Sequence, residues 1–247
     1  IEEVYQIGGA HGVAALAMGT ATIRRVDKIV GPGHPVTQLA KKMLFGRIDI
    51  DSFAGASEVL IIADETANVD AVACDMLAQA EHDPGMAVLV TTSRTLAAAM
   101  PEALERISGR LPRAESMRRC LAAYSAIVLV RSPDEAVEVA NRYAPEHLHV
   151  ETADASALAG RLVNAGAIFV GHHTPEATGD YLAGPSHVLP TGGSARFFSA
   201  LSVNDFLRHT SVIQYDRAEL AHQAASITAI ADAEQLGAHA MSVKVRG

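Results

Sequence analysis

Apolar positions along the chain follow two spacings. Short unbroken runs, Val59-Leu60-Ile61-Ile62-Ala63, Ala87-Val88-Leu89-Val90-Thr91, Ala126-Ile127-Val128-Leu129-Val130 and Ala167-Ile168-Phe169-Val170, predict strands that are apolar on both faces. Between them the spacing is helical. Val69, Val72, Ala73, Met76, Leu77 and Ala80 predict a helix over 69–80, with Pro84 just beyond its end. Helices are also predicted over 94–108, from Ser132-Pro133-Asp134-Glu135 through Arg142, and over 153–164, with a short strand at Leu148-His149-Val150. Upstream, a glycine-led helix is predicted over 8–18 and a short strand over 26–30. The turn Gly31-Pro32-Gly33-His34 then leads into a helix ending near Phe45. A short apolar segment at 48–51 and a small-residue turn at 54–57 precede the first long strand. This alternation predicts an α/β fold built on a mainly parallel sheet with flanking helices.

The texture changes after Val170. Residues 171–198 are rich in Gly, Pro, His and Thr and show no period, and so long an irregular stretch is usually functional or disordered. A helix-like run near 199–209, a strand at 211–214 and helices to about Ala240 complete the chain.

Composition narrows the classes. With 49% apolar and 19% charged residues, the chain can bury a core. A net charge of -8 with no basic run argues against nucleic acid as a partner. No apolar stretch approaches the roughly 20 residues of a membrane helix. The acidic opening Ile1-Glu2-Glu3 lacks a signal peptide's basic region and apolar core, so a cytoplasmic protein is expected. Cys74 and Cys120 both sit in helical patterns and are expected to be buried thiols. The 11 histidines lie mostly near Gly, Pro or acidic residues, a compositional hint of a metal or acid–base site.

Several residues could carry chemistry. In Gln79-Ala80-Glu81-His82-Asp83-Pro84, Gln79 and His82 stand three apart on a helix, where they could hold two corners of a metal site or form a solvated face. Glu146-His147 offers a carboxylate beside an imidazole, a base and an acid together, or a polar turn. Asp180 and His187, in the irregular stretch, could ligate a metal or organise a loop. Glu234 and His239 lie near the C-terminus, where a histidine is usually just solvated. The Gly31–His34 turn could bring backbone N–H groups to a phosphate or be a plain βα turn; the G-x-G-x-x-G form is absent. Active groups of parallel sheets are expected at the carboxyl ends of strands. Hydrolase elbows, Walker loops, Cys-x-x-Cys pairs and His-Glu-x-x-His helices do not occur.

Taken together, the segments resemble the histidinol dehydrogenase family. They are Val26-Asp27-Lys28-Ile29-Val30-Gly31-Pro32-Gly33, Ile50-Asp51, Ala54-Gly55 with Ser57-Glu58-Val59-Leu60, and Gln79 to Pro84. Ala144-Pro145-Glu146-His147-Leu148, Asn164-Ala165-Gly166-Ala167-Ile168-Phe169, Gly179-Asp180-Tyr181, His187-Val188-Leu189-Pro190-Thr191, Asp205-Phe206 and Ala238-His239 follow in family order. The resemblance covers the central and C-terminal part of that family. It implies incomplete Rossmann-like domains and a helical tail: a partial nucleotide-binding side at 1–57, a main domain with the zinc and acid–base site at 58–201, and a segment at 202–247 that reaches a partner subunit. The chain opens without methionine, so a piece of something longer is expected.

The resemblance also implies residue roles. Gln79, His82 and Asp180 match zinc ligands, and His239 matches one delivered by the other subunit of a homodimer with shared active sites. Glu146 and His147 match the catalytic acid–base pair. Ser57, His187 and Glu234 match substrate contacts, alongside His147 and the zinc ligands. His11 and His34 fall on the NAD side, where the family usually carries Gln and Asn; Ala56 stands where it usually has Pro. The implied reaction takes L-histidinol through L-histidinal to L-histidine with NAD, the substrate anchored on zinc. A relative oxidising another small alcohol and a non-catalytic zinc-binding fragment are the other readings, motivated by the altered NAD-side positions.

Overall fold

The computed structural model describes residues 1–53, 55–82 and 84–246. Ala54 of the small-residue turn and Asp83 of the Gln79–Pro84 stretch lie outside them. Two compact units result, Ile1–Phe206 and Leu207–Gly247, and each is described by itself.

The first unit opens with α1 (Gly9–Met18), β1 (Lys28–Ile29), α2 (Pro35–Leu44) and β2 (Asp49–Ile50). β1 and β2 pair in parallel over a small core of Ala17, Ile48 and Ile50. Lys41 of α2 anchors this part. Its ammonium pairs with Asp51 and donates to the Gly31 carbonyl at 2.9 Å, while Asp51 accepts from the Gly31 N–H at 2.6 Å. The glycine turn, with Gly31 at φ 115°, is thus held from both sides.

The main sheet follows. β3 (Ser57–Ala63), β4 (Gly85–Thr91), β5 (Ala126–Leu129), β6 (His147–Glu151) and β7 (Ala167–Val170) are all parallel, in the order β5-β4-β3-β6-β7. The two sides of β3 explain why its run is continuously apolar. Val59, Ile61 and Ala63 pack on α3 (Val69–Ala80) and α4 (Arg94–Ser108), whereas Leu60 and Ile62 pack towards α6 (Pro133–Tyr143) and α7 (Ala155–Ala159). The α/β reading therefore holds, with a parallel sheet between two helical layers.

β6 breaks the apolar rule on one side only. Leu148 and Val150 join the α6/α7 core, but the other parity is His147, His149 and Glu151, all buried. These lie beside Val59, Ile61 and Ala63 in the register. On the same side, α3 carries two buried polar residues four apart, Asp75 and Gln79. An otherwise apolar layer thus contains one polar seam.

Several expectations need correction. α5 (Ala114–Tyr124), given no helix from the sequence, packs Met117 and Cys120 on Leu77 and Ala80. The helix expected over 153–164 stops at Ala159, because Val163 and Asn164 give their N–H groups to the Asn141 side chain instead. The irregular stretch contains α8 (Glu176–Tyr181), and the run near 199–209 forms only a 3-10 turn, Val203–Phe206. Cys74 is exposed, and only Cys120 is buried; both thiols are free. In the second unit, 211–214 forms no strand, since α9 (Arg217–Ala233) and α10 (Gly237–Lys244) are its only regular elements among the described residues and offer no ladder partner.

Gly85 fixes the junction between α3 and β4. A Cβ there would strike the Gln79 carbonyl oxygen and lie 2.7 Å from that of His82, both backbone atoms that cannot swing aside. Gly85→Ala is expected to cost about 1–3 kcal/mol, as overpacking does. A urea midpoint equal to that of the unmodified protein would show that the junction yields freely.

Candidate active site

Ser57 opens β3, and Glu146 and His147 lead into β6, paired so that His147 stands beside Val59. The candidate groups therefore gather at the amino edge of the main sheet, not at the carboxyl edge the general rule predicts. α3 runs back down to this edge, which brings Gln79 and His82 there.

Hydrogen bonds set the geometry. Glu146 Oε2 accepts from Ser57 Oγ at 2.7 Å and from the Glu58 N–H at 3.1 Å. His147 Nδ1 lies 3.3 Å from the Glu58 carbonyl oxygen, a contact that suits an N–H donor. That assignment leaves Nε2 with a lone pair, and Nε2 is buried with no partner among the described residues. The same Nδ1 is 3.7 Å from Glu146 and 3.8 Å from Glu176, so two carboxylates flank the ring. Ser57, His82, Glu146, His147, Asp180 and His187 line a cavity of about 310 Å³, and Pro32 and Thr191 help to close it. A neighbouring cavity of about 630 Å³ shares Gly55, Ser57 and His82 and extends to Gly33 and His34.

The other predicted residues are placed as follows. Gln79 is fully buried, and both its amide oxygen and its amide nitrogen lack partners among the described residues. A carboxamide normally satisfies both ends, so this pair marks an unmet demand for a ligand. His187 Nδ1 lies 3.4 Å from the Asp180 carbonyl oxygen. His34 caps α2, its Nδ1 accepting from the Val36 N–H at 3.3 Å. His11 is exposed on α1. Glu234 follows α9 and His239 lies in α10, both exposed in the second unit.

Sequence reading missed two buried acids here. Glu176, on α8, lines the cavity with a carboxylate oxygen that has no hydrogen-bond partner among the described residues. Glu58 accepts from Gly192 N–H at 2.9 Å and from Tyr143 Oη at 3.2 Å, tying the loop after Pro190 to β3. A charge at the head of an apolar strand was a readable signal for Glu58. Nothing in the irregular stretch distinguished Glu176.

Burial governs the protonation states. It pushes Glu146 up to about 7, against the Ser57 and Glu58 hydrogen bonds that lower it. Burial, with Asp180 and Glu146 nearby, pushes Glu176 up to about 8. Burial lowers His147 to about 4. In the metal-free protein the folded state therefore keeps carboxyl protons that the unfolded chain gives up. That stability is fully present below the ordinary value of 4.5 and is lost as pH rises through about 7 and 8. His147 acts oppositely: its contribution is present above 6.5 and lost as pH falls through about 4. The two carboxyls outweigh the one imidazole, so unfolding free energy is expected to fall between pH 5 and 8. Each uncompensated group contributes about 1.4 kcal/mol per pH unit. Glu176→Gln should flatten that slope by one group's worth. Urea denaturation of metal-free protein across this range checks the sign, and a rise in stability towards pH 8 contradicts it.

Comparison with known proteins places the chain. The family model for histidinol dehydrogenase matches residues 1–247. A histidinol dehydrogenase of Rhodopirellula baltica is 50% identical over 246 residues, covering 100% of this chain and 54% of that protein. A "Histidinol dehydrogenase 2" of Nostoc sp. is 53% identical over 247 residues, covering 57% of its length. The crystal structure of histidinol dehydrogenase from Elizabethkingia anophelis superposes with a TM-score of 0.93 at 35% identity, over 100% of this chain and 57% of that one. The chain spans about half the length of the curated relatives it matches. On this similarity along its whole length, the chain belongs to the histidinol dehydrogenase family.

Proposed function

We propose that the protein performs the NAD- and zinc-dependent oxidation of L-histidinol through L-histidinal to L-histidine. The observation that carries this reading is the Glu146–His147 pair, ordered by Ser57 and Glu58 beside a cavity lined by His82 and Asp180, in a chain of this family.

The residues present fit a zinc ion. Gln79 offers a buried carbonyl oxygen without a hydrogen-bond partner among the described residues, His82 an imidazole and Asp180 a carboxylate, a donor set that zinc accepts. His239 of a partner subunit would complete it in a homodimer with shared sites. The NAD side would lie on 1–57, where the cavity beside His34 adjoins the site; His11, which does not line that cavity, would be a second contact from α1. Within this reading 58–201 carries the zinc and acid–base site, and 202–247 reaches the partner. When bound, zinc would hold the substrate and NAD would take up hydride.

The chain's own groups would handle the protons. His147 is neutral at neutral pH and can take the proton of the substrate alcohol at Nε2. Ionised Glu146, 3.7 Å from Nδ1, would stabilise the imidazolium so formed. Glu146, poised at about 7, can then take a proton from the water that attacks the aldehyde carbon. His187 and, from a partner subunit, Glu234 would contact the substrate's polar groups. The enzyme would work in the cytoplasm, and no helix among the described residues is long and apolar enough to cross a membrane.

The test is NADH formation from L-histidinol by the protein at its full natural length, with and without a zinc chelator. Zinc-dependent turnover at two NADH per substrate is expected. Turnover only with another small alcohol would transfer the reading to a relative with altered specificity. Bound zinc without any turnover would leave a zinc-binding protein.

A further inference from the structure

We propose a second divalent-metal site, separate from Gln79, His82 and Asp180, formed by Asp75, His149 and Glu151 with His172 at its mouth. The ligand atoms of Asp75, His149 and Glu151 all lie within 4.8 Å of one another. His149 Nδ1 already stands 3.3 Å from Asp75 Oδ2, close to the roughly 3.4 Å between donors on a tetrahedral zinc with ~2.1 Å bonds. The set is made by the polar seam. His149 and Glu151 share one side of β6, and Asp75 faces them from α3, one turn before Gln79.

Two independent observations point to a ligand. Glu151 is 4% exposed, and its Oε2, one of the cluster's carboxylate oxygens, has no hydrogen-bond partner among the described residues. Second, among the described residues the ion pairs of the cluster's two carboxylates go only to histidines, His149 for Asp75 and His172 for Glu151. Buried carboxylates without a cation are costly. A divalent ion supplies the missing charge and meets the orphan acceptor; otherwise a proton must stay, as the rise of Glu151 to about 8 by burial and by Asp75 indicates for the metal-free chain.

An entry path exists. The Asp75 side chain is 12% exposed, and exposed His172 holds Nδ1 4.0 Å from Glu151 Oε2 while its Nε2 lies 3.2 Å from Thr66 Oγ1. His172 can therefore receive an ion at the surface and close a fourth position. One or two imidazoles with two carboxylates suit zinc or manganese and not the thiolate-seeking ions.

Zinc would be titrated into chelator-stripped protein at its full natural length carrying His82→Asn, which removes a ligand of the proposed substrate-site zinc. About one zinc per chain is expected to remain by elemental analysis, with only nitrogen and oxygen neighbours by X-ray absorption. Adding Glu151→Gln should remove it, with the circular dichroism of the metal-free protein unchanged. Should that variant fail to fold, His149→Asn replaces it. Loss of all zinc from His82→Asn alone, or retention after the Glu151 or His149 change, overturns the proposal.

Discussion

Replacing His147 with asparagine is expected to slow NADH formation from L-histidinol by about 10²–10⁴-fold, the usual contribution of a positioned general base. Asparagine can keep a donor near the place of Nδ1, which lies 3.3 Å from the Glu58 carbonyl oxygen, but it has nothing at the place of Nε2. The loss should therefore fall on proton transfer more than on folding or substrate binding. Glu146→Gln is expected to behave differently. Glutamine can still accept from Ser57 and the Glu58 N–H, so the loop keeps its shape, but it cannot take a proton from water. Its main effect should be on oxidation of supplied aldehyde, with a smaller effect on the alcohol step. Single-turnover measurements from alcohol and from aldehyde separate the two. Equal losses on both half-reactions for both variants would remove this division of labour.

The second large effect is expected on stability rather than on proton transfer. Lys41→Met should destabilise the protein by about 3–5 kcal/mol, because it leaves Asp51 buried without its cation. The side chains of Lys41 and Asp51 are 1% and 4% exposed, whereas those of the surface pair Arg119–Glu115 are 64% and 88% exposed. Breaking the surface pair with Arg119→Met should change stability by less than about 1 kcal/mol. Burial, not the presence of an ion pair, decides the difference. Because Asp51 and Lys41 clamp both polar atoms of Gly31, the glycine turn should loosen as well, and any NAD affinity of this side should weaken in parallel. Denaturant midpoints for both variants check the contrast; a Lys41→Met midpoint matching that of Arg119→Met would show that Asp51 is relieved by water.

Much of this was legible in the chain. The continuous apolar runs at 59–63 and 87–91 read as strands covered on both sides, and the spacing from Val69 to Ala80 as a helix burying one stripe. The family motifs, in order along the whole chain, carried the assignment to the histidinol dehydrogenases. The strand expected at 211–214 was not decidable in this way, because Val212 and Ile213 look like strand residues whether or not a partner strand lies beside them.

What tertiary structure decided is the meaning of polar residues inside apolar patterns. The sequence shows His147, His149 and Glu151 alternating with Leu148 and Val150, which reads equally as a half-solvated strand. Only the register of β6 between β3 and β7, with α3 above it, buries the polar parity and sets it against Asp75 and Gln79. Periodicity reports which residues share a face. Whether that face meets water or a neighbouring helix depends on contacts between segments distant in the chain, here 75 with 149 and 57 with 146, and these exist only once the fold has formed.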